Sequence, residues 1–288
     1  MSEDIRPARP GDIYGLIELW DLGFPGEHDF GIFIFGRFGR PENVLVYEEN
    51  GRLSAMLLML PRTVCCRGEN FSASYIMGVT TRPELRGKGV MHRLMEAAHE
   101  TLKQRGTDLA MLIPATPGLF DYYARFGYAP FFYISNSTED RTGLSSRYTF
   151  REDSEDTGAF DTIYRTAMAD SVFVARSRED WLCAMEEHRR FGGGVLLLYR
   201  SVQPVAYAFF GKNNGKIKIN ETFGLDDDAR KAVVAAVFSK NEAESAALVS
   251  PSGPGGKPFG AALALSQKGE KLMTSAGGLC SYINLIHN

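Results

Sequence analysis

Four consecutive residues, Arg86-Gly87-Lys88-Gly89, combine two positive charges with two glycines. An apolar strand pattern precedes them, and an amphipathic helix pattern follows from Val90. The first turn of a helix carries unpaired N–H groups and partial positive charge, and glycine lets a phosphate approach that backbone closely. The type and order of these residues therefore predict a site that binds a pyrophosphate.

A solvated basic turn is the simpler interpretation of the same loop. The Walker A pattern GxxxxGK[ST] is absent here, and so is the GxGxxG pattern of Rossmann folds. The position of the loop between a strand and a helix nevertheless favours phosphate binding, because the unpaired N–H groups lie there.

Other reactive side chains give weaker signals. Glu27, His28 and Asp29 are candidates for a general base, although a solvated loop is the simpler interpretation of their segment. His92 and His99, seven residues apart on one helix, are predicted to be surface or packing residues. No histidine pair has metal-ligand spacing, so we expect no structural metal.

Composition and cysteine usage limit the class of protein. The net charge of -3 argues against bulk nucleic-acid binding. No apolar run approaches the ~18 residues that a membrane span needs, and the start MSEDIRPARP lacks the apolar region of a signal peptide. Cys65, Cys66, Cys183 and Cys280 form neither a disulfide framework nor a zinc spacing, which predicts reduced thiols in a cytoplasmic protein.

The elements that position the loop belong to a self-contained α/β unit, predicted for residues 1–136 in the order β-α-β-β-β-loop-α-β-α-β. Asn50-Gly51 predicts a hairpin turn, because both central residues of a type I′ turn need positive φ. The helix after the loop has one apolar face at helical spacing. The polar segment from Asn136 is predicted to connect this unit to the next. The residues of the apolar face are Val90, Leu94, Ala98 and Leu102.

The second half, residues 137–288, looks like a faint repeat of the first. VLVYEENGRLSAMLLM, residues 44–59, aligns without a gap with VLLLYRSVQPVAYAFF, residues 195–210. A further strand, KIKINETFG, then runs directly into a helix that begins with Asp226–Asp228. These aspartates suit a helix N-terminus but would repel a nucleotide. We therefore predict a second copy that has lost cofactor binding.

The loop and its surroundings resemble the acetyl-CoA motif of the GCN5-related N-acetyltransferases, the GNAT superfamily. The family pattern Q/R-x-x-G-x-G/A has Gly or Ala where this chain has Met91. A second segment, LFDYYARFGY, resembles the family's F-Y-x-x-x-G-F helix, in which Tyr123 occupies the place of a tyrosine that often serves as general acid. On residue type alone, these adjacent tyrosines favour core packing. The positions that match V-x-x-x-P-x-x-R-G-x-G are Val79, Pro83, Arg86, Gly87 and Gly89.

RGKGVMHRLM and LIPATPGLFDYYARFGY are also similar to the Eis-like (enhanced intracellular survival) subgroup, which has a second GNAT-like domain without the CoA loop. Those relatives usually add a sterol-carrier-like third domain, for which this chain leaves no room. In the subgroup the C-terminal carboxylate is thought to reach the active site; its counterpart here would be that of Asn288. Relatives form rings of subunits, so the resemblance allows a homo-oligomer.

The resemblance implies an α/β (α+β) GNAT fold, with a mixed central sheet flanked by helices, present as a tandem repeat with a degenerate second copy. It further implies that acetyl-CoA is the cosubstrate; the histidine spacing, as stated above, predicts no metal. N–H groups of residues 87–91 would hold the pyrophosphate, and the fourth strand would hold the pantetheine arm and polarise the thioester. Tyr123 would protonate the leaving thiolate. The implied cofactor-binding residues are Met77, Gly78, Val79, Arg86, Gly87, Lys88, Gly89, Val90 and Met91.

The function expected from these features is acetyl transfer from acetyl-CoA to a primary amine of an aminoglycoside, a polyamine, or a lysine or peptide. A non-catalytic acyl-CoA-binding or sensing protein is the alternative, and an interaction scaffold is a third class. Tyr123 and the intact loop favour the enzyme.

Overall fold

The computed structural model describes residues 3–213 and 216–284. The α/β class with mixed sheets and helices is confirmed. The strands are β1 (Glu3–Pro7), β2 (Val44–Glu49), β3 (Arg52–Cys66), β4 (Glu69–Thr81), β5 (Leu109–Leu112), β6 (Ala129–Asp140), β7 (Tyr148–Glu152), β8 (Val172–Ala175), β9 (Gly193–Arg200), β10 (Gln203–Asn213), β11 (Lys216–Gly224), β12 (Ser245–Ser252), β13 (Lys257–Ala264) and β14 (Ser281–Tyr282). The helices are α1 (Ile13–Gly23), α2 (His28–Phe38), α3 (Val90–Gln104), α4 (Leu119–Ala124), α5 (Thr157–Ala167), α6 (Arg178–Arg190), α7 (Asp227–Lys240) and α8 (Gln267–Ser275).

The chain divides into two compact units. Among the described residues, the first unit contains 3–63, 71–131 and 260–275, and the second contains 64–70, 132–213, 216–259 and 276–284. The sequence predicted a single boundary at residue 136 instead.

Long-range strand pairing explains the difference. The polar segment from Asn136, predicted as a connection, continues β6, which pairs antiparallel with β12 through Asp140. Residues Ala261–Ala264 of β13 pair antiparallel with β5 and so belong to the first unit. Backbone pairing between segments far apart in the chain leaves no local signal in the sequence.

The sheet of the first unit has the order β1-β2-β3-β4-β5-β13. Asn50 and Gly51 turn β2 into β3 with φ angles of 52° and 78°, as the sequence predicted. β4 runs parallel to β5, and their ladder ends at the pair Tyr75 and Met111. Because β4 continues to Thr81 without this partner, the two strands separate on the way to the glycine loop.

α3 covers one face of this sheet. Its predicted apolar face is confirmed, since Val90, Leu94, Ala98 and Leu102 are all buried. These side chains pack in one cluster with residues of β2 to β5 and with Tyr123 of α4. Burial of a leucine or valine side chain contributes roughly 1.5–3 kcal/mol, so this cluster fixes the start of α3 against the sheet.

Two helices, α1 and α2, lie between β1 and β2, where the sequence predicted one. Phe30, Phe33 and Ile34 of α2 are buried at helical spacing. The segment FGIFIFGRF contains two glycines and is apolar on most sides, so no amphipathic period identifies it as a helix. As a result His28 and Asp29 lie in the first turn of a helix and not in a loop.

The sheet of the second unit has the order β6-β12-β11-β10-β9-β7, and β8 pairs with β14. The predicted strands are present as β9, β10 and β11. β11 runs parallel to β12, and this ladder ends at the pair Ile219 and Leu248. α7 packs in one cluster with β9 to β12, and α5 and α6 pack in another with side chains from β9 to β11.

A buried ion pair lies on β11 in this unit. Arg176 donates from Nη1 and Nη2 to the two carboxylate oxygens of Glu221, at 2.6 and 2.7 Å. Tyr207, Tyr282 and Asn284 donate to the same carboxylate. Burial opposes ionisation of Glu221, but the charge of Arg176 and these hydrogen bonds outweigh it and lower its pKa. Glu221 is therefore ionised, and the positive charge of Arg176 balances it.

Candidate active site

The glycine loop brings β4 to α3 through a short 3₁₀ turn at Pro83–Leu85. Gly87 and Gly89 both have left-handed φ angles, 77° and 76°, which favour glycine over other residues. A Cβ atom at either position would meet no atom within 4 Å. The glycines therefore meet a conformational requirement of the loop, and space lies open beside its backbone.

The first backbone N–H groups of α3 have no hydrogen-bond acceptor among the described residues. Gly89 occupies the cap position and, having no side chain, supplies no capping hydrogen bond. The N–H groups of Gly87, Gly89, Val90 and Met91 donate to no acceptor in the described part of the chain. Donors of this kind, together with the helix dipole, favour an anion at the first turn.

Charged side chains surround these donors. Arg86 and Lys88 are exposed, and Arg86 Nε donates to the carbonyl of Thr81 at 3.1 Å, which orients its guanidinium along the loop. Arg82, which the sequence did not single out, is buried and donates to the carbonyl of Leu53 at 2.7 Å and to Glu18 at 2.7 Å. Arg82 thus anchors the end of β4, and Arg86 and Lys88 stay on the surface.

A cavity of about 550 Å³ in the first unit joins the loop to the tyrosine helix. Tyr123 lies on its wall and is 8% exposed. Burial raises the pKa of Tyr123 above its ordinary range, so the phenol is protonated at neutral pH. The predicted residues on the wall are Val79, Arg86, Gly87, Gly89, Val90, Met91 and Tyr123.

Three of the predicted residues, Met77, Gly78 and Lys88, are not among those that line the cavity. Gly78 has φ 61° within β4, and a Cβ there would lie 2.7 Å from Leu58 Cδ1. The positive φ interrupts the extended backbone of β4 after its ladder with β5 has ended. This part of β4 could contribute backbone groups only.

Several lining residues were missed by the sequence. Arg125 follows Tyr123 at the end of α4 and adds a positive charge to the wall. Thr80 faces the cavity, and its buried Oγ1 has no hydrogen-bond partner among the described residues. His92, predicted as a surface or packing residue, also lines the cavity, with its ring 5.1 Å from that of Phe126. No spacing rule connects α4 with the start of α3, so these residues had no sequence signal.

The candidate bases and the second histidine lie elsewhere. His28 Nδ1 is 2.9 Å from Asp21 on the surface, and Glu27, His28 and Asp29 are not among the residues that line the cavity. His99 is buried beside Tyr128, with Nε2 3.0 Å from its hydroxyl. Burial lowers the pKa of His99 to about 4, so it is a neutral packing residue at neutral pH.

The described residues contain no group of three or more His, Cys, Asp or Glu side chains that could hold a metal ion. In the described ranges, no helix has the length and apolar character needed to cross a membrane. Asn288 lies outside the described residues.

A comparison with known families gives a match over residues 4–131. The matched family model is described as an acetyltransferase (GNAT) domain. The predicted GNAT assignment is therefore confirmed, and the chain carries a GNAT acetyltransferase domain over these residues. A search of curated proteins gives no significant match.

Solved structures share the fold over most of the chain. A probable N-acyltransferase from Enterococcus faecalis V583 is similar with a TM-score of 0.77 and 15% identity, covering 93% of this chain and 74% of that one. Eis1 from Mycobacterium abscessus gives 0.64 and 14%, covering 89% and 66%. A tandem GNAT protein from the clavulanic acid biosynthesis pathway gives 0.57 and 12%, covering 92% and 99%. The TM-scores show a shared fold, in agreement with the predicted GNAT fold.

Proposed function

We propose that this protein is an acetyl-CoA-dependent N-acetyltransferase that transfers the acetyl group to a primary amine. The observation that carries the proposal is one cavity lined by the uncapped start of α3, two left-handed glycines and a protonated tyrosine. Amines of aminoglycosides, polyamines, lysines and peptides all fit this reaction class.

The loop residues would hold the pyrophosphate of the cosubstrate. Free N–H groups at Gly87 and Gly89 and at the first residues of α3, Val90 and Met91, are the donors, and the open side of each glycine gives the phosphates room to approach. The side chain of Met91, which departs from the family pattern, packs against the α3 cluster and leaves its own N–H available. Arg86, Lys88 and Arg125 would add the opposing charge.

The unpaired edge of β4 would hold the rest of the cosubstrate. Beyond Tyr75 this strand has no ladder with β5, so backbone groups of Met77 and Val79 can pair with the amides of a pantetheine arm. An N–H near Met77 or Gly78 would donate a hydrogen bond to the thioester carbonyl oxygen and stabilise the negative charge that develops on it during attack.

In the proposed reaction, the amine nitrogen bonds to the thioester carbonyl carbon and the carbon–sulfur bond breaks. Tyr123 gives its proton to the departing sulfur, and the proton from the amine passes to water. Tyr123 suits this part because it lines the cavity and carries its proton at neutral pH. The tyrosinate is reprotonated from solvent after the products leave.

We also propose that the second unit is a GNAT-like copy without cofactor binding. Its α7 begins with Asp226, Asp227 and Asp228, and the Asp226 side chain occupies the N–H of Ala229 at 2.7 Å. These acidic side chains would repel a pyrophosphate.

A turnover assay tests the enzyme directly. The protein is incubated with acetyl-CoA and an amine panel, and free thiol is followed over time. Amine-dependent thiol release supports the proposal. Tight CoA binding in calorimetry with no turnover on any amine would instead support an acyl-CoA sensor, and no CoA binding would overturn both functions.

A further inference from the structure

The second unit has a cavity of its own, of about 260 Å³. It opens where β11 and β12 separate. Their parallel ladder ends at Ile219 and Leu248, and the next residue of each strand, Asn220 and Val249, lies on the cavity wall. The separated strands thus leave a space whose described lining contains no residue of α7.

The charge of this cavity is positive. Lys218 of β11 and Lys257 of β13 both line it, and its described lining contains no Asp or Glu side chain. Both lysines are exposed residues, and partial burial lowers the pKa of Lys218. Glu221 lies nearby on β11, and Arg176, which binds it at 2.6 Å, compensates its charge. An anionic group would be favoured here.

The other side chains of the wall indicate more than a bare ion. Asn220 Oδ1 is buried and has no hydrogen-bond partner among the described residues. Such an acceptor gains from a ligand that donates an O–H or N–H group. Phe259, Val249 and Ile134 form an apolar side that would pack against hydrocarbon.

We propose that this cavity binds a small organic carboxylate that carries a hydrogen-bond donor. The carboxylate lies against Lys218 and Lys257, the donor reaches Asn220, and the hydrocarbon body packs on Phe259. This site is independent of the cofactor loop, because all the residues that line it belong to the second unit.

The test uses 3-fluoro-4-hydroxybenzoate as the probe, followed by fluorine NMR titration of the full chain with saturating CoA. CoA occupies the basic loop of the first unit and removes it as a competing anion site. We expect binding at millimolar probe concentration or below. The neutral amide of the same acid should bind at least about tenfold more weakly, since it lacks the charge that the lysines recognise.

Variants locate the site. Lys218→Gln combined with Lys257→Gln should weaken probe binding about tenfold or more. Asn220→Asp should do the same by placing a negative charge at the acceptor position. Lys231→Gln is the matched control, because Lys231 is an exposed lysine of α7 that does not line the cavity. Circular dichroism of each variant checks that the fold is retained.

Three results would overturn the proposal. These are no binding of the acid at millimolar concentration, equal binding of acid and amide, or equal losses in the double lysine variant and in Lys231→Gln. Each is independent of acetyl transfer, so failure here leaves the proposed activity of the first unit untouched.

Discussion

In both units a strand that runs parallel to its neighbour leads into a helix, but the two helices begin differently. Residues 82–89 separate β4 from α3, and Gly89 gives α3 no side-chain cap. Only Leu225 and Asp226 separate β11 from α7, and Asp226 accepts from the N–H of Ala229. The first helix has no side-chain acceptor at its start, whereas in the second a carboxylate caps the N–H of Ala229. The residues between strand and helix therefore decide whether this arrangement can bind phosphate.

The units also differ beyond the parallel ladder. Two residues past its last pair, the first unit has Met77 and the second has Glu221, clamped by Arg176. In the first unit, β5 leads to α4 with Tyr123, whereas residues 253–256 alone separate β12 from β13. The second unit has a buried ion pair at the position equivalent to the proposed thioester site, and residues 253–256 between β12 and β13 form no helix.

Of the substitutions that test this difference between the units, Tyr123→Phe should have the largest effect, and that effect is on turnover. We expect turnover to fall about 100-fold or more, because a general acid contributes on that order, while CoA affinity stays unchanged. Steady-state thiol release and calorimetry measure the two quantities. Tyr122→Phe is the matched control, since Tyr122 lines the same cavity on the same helix. Equal losses in both variants would mean that the effect is not specific to the hydroxyl of Tyr123, which would contradict its role as the proton donor.

Glu221→Gln tests the buried pair of the second unit. The variant leaves the Arg176 charge buried and uncompensated, which should cost about 3 kcal/mol in the free energy of unfolding by urea. Glu152→Gln, which removes an exposed pair with Lys240 at 2.7 Å, should cost under about 1 kcal/mol. CoA affinity should not change in either variant, because the loop and Tyr123 belong to the first unit.

The same pair predicts a pH dependence. The pKa of Glu221 is lowered in the folded protein, so its contribution to stability is present above the ordinary glutamate pKa of about 4.3 and is lost as pH falls through the lower folded value. The wild type should lose stability in that acid range more steeply than Glu221→Gln. If the free energy of unfolding fell equally with pH in both proteins, the ionised Glu221 carboxylate would not contribute to stability.

Gly89→Asp places an aspartate at the N-cap of α3, as Asp226 is at the N-cap of α7. A carboxylate at this position faces the pyrophosphate, so we expect CoA affinity in calorimetry to fall about 100-fold. Gly89→Asn has nearly the same shape without the charge, and Asn tolerates the left-handed φ of 76°. Its loss of affinity should be much smaller. Similar losses would indicate that the backbone conformation, and not the sign of the charge, separates the two helices.

These contrasts also show what could be predicted from the sequence. The loop at residues 86–89 and the aspartates at residues 226–228 have local causes, glycine conformation and charge at a helix start, so the sequence reveals both. The return of Ala261–Ala264 to β5 depends on pairing across the chain and leaves no such signal. Arg125 and Thr80 reach the cavity through the packing of α4 and the exact path of β4, which no periodicity encodes.

Lys88→Gln gives the smallest expected effect and separates side-chain charge from backbone. Lys88 is exposed, and a solvated charge is worth about 1 kcal/mol or less, so CoA affinity should fall about two- to fivefold and the loss should shrink at high salt. Lys103→Gln, at the opposite end of α3, should leave affinity unchanged. If Lys88→Gln instead matched Gly89→Asp, the site would depend on surface charge, and the free N–H groups that distinguish α3 from α7 would lose their role.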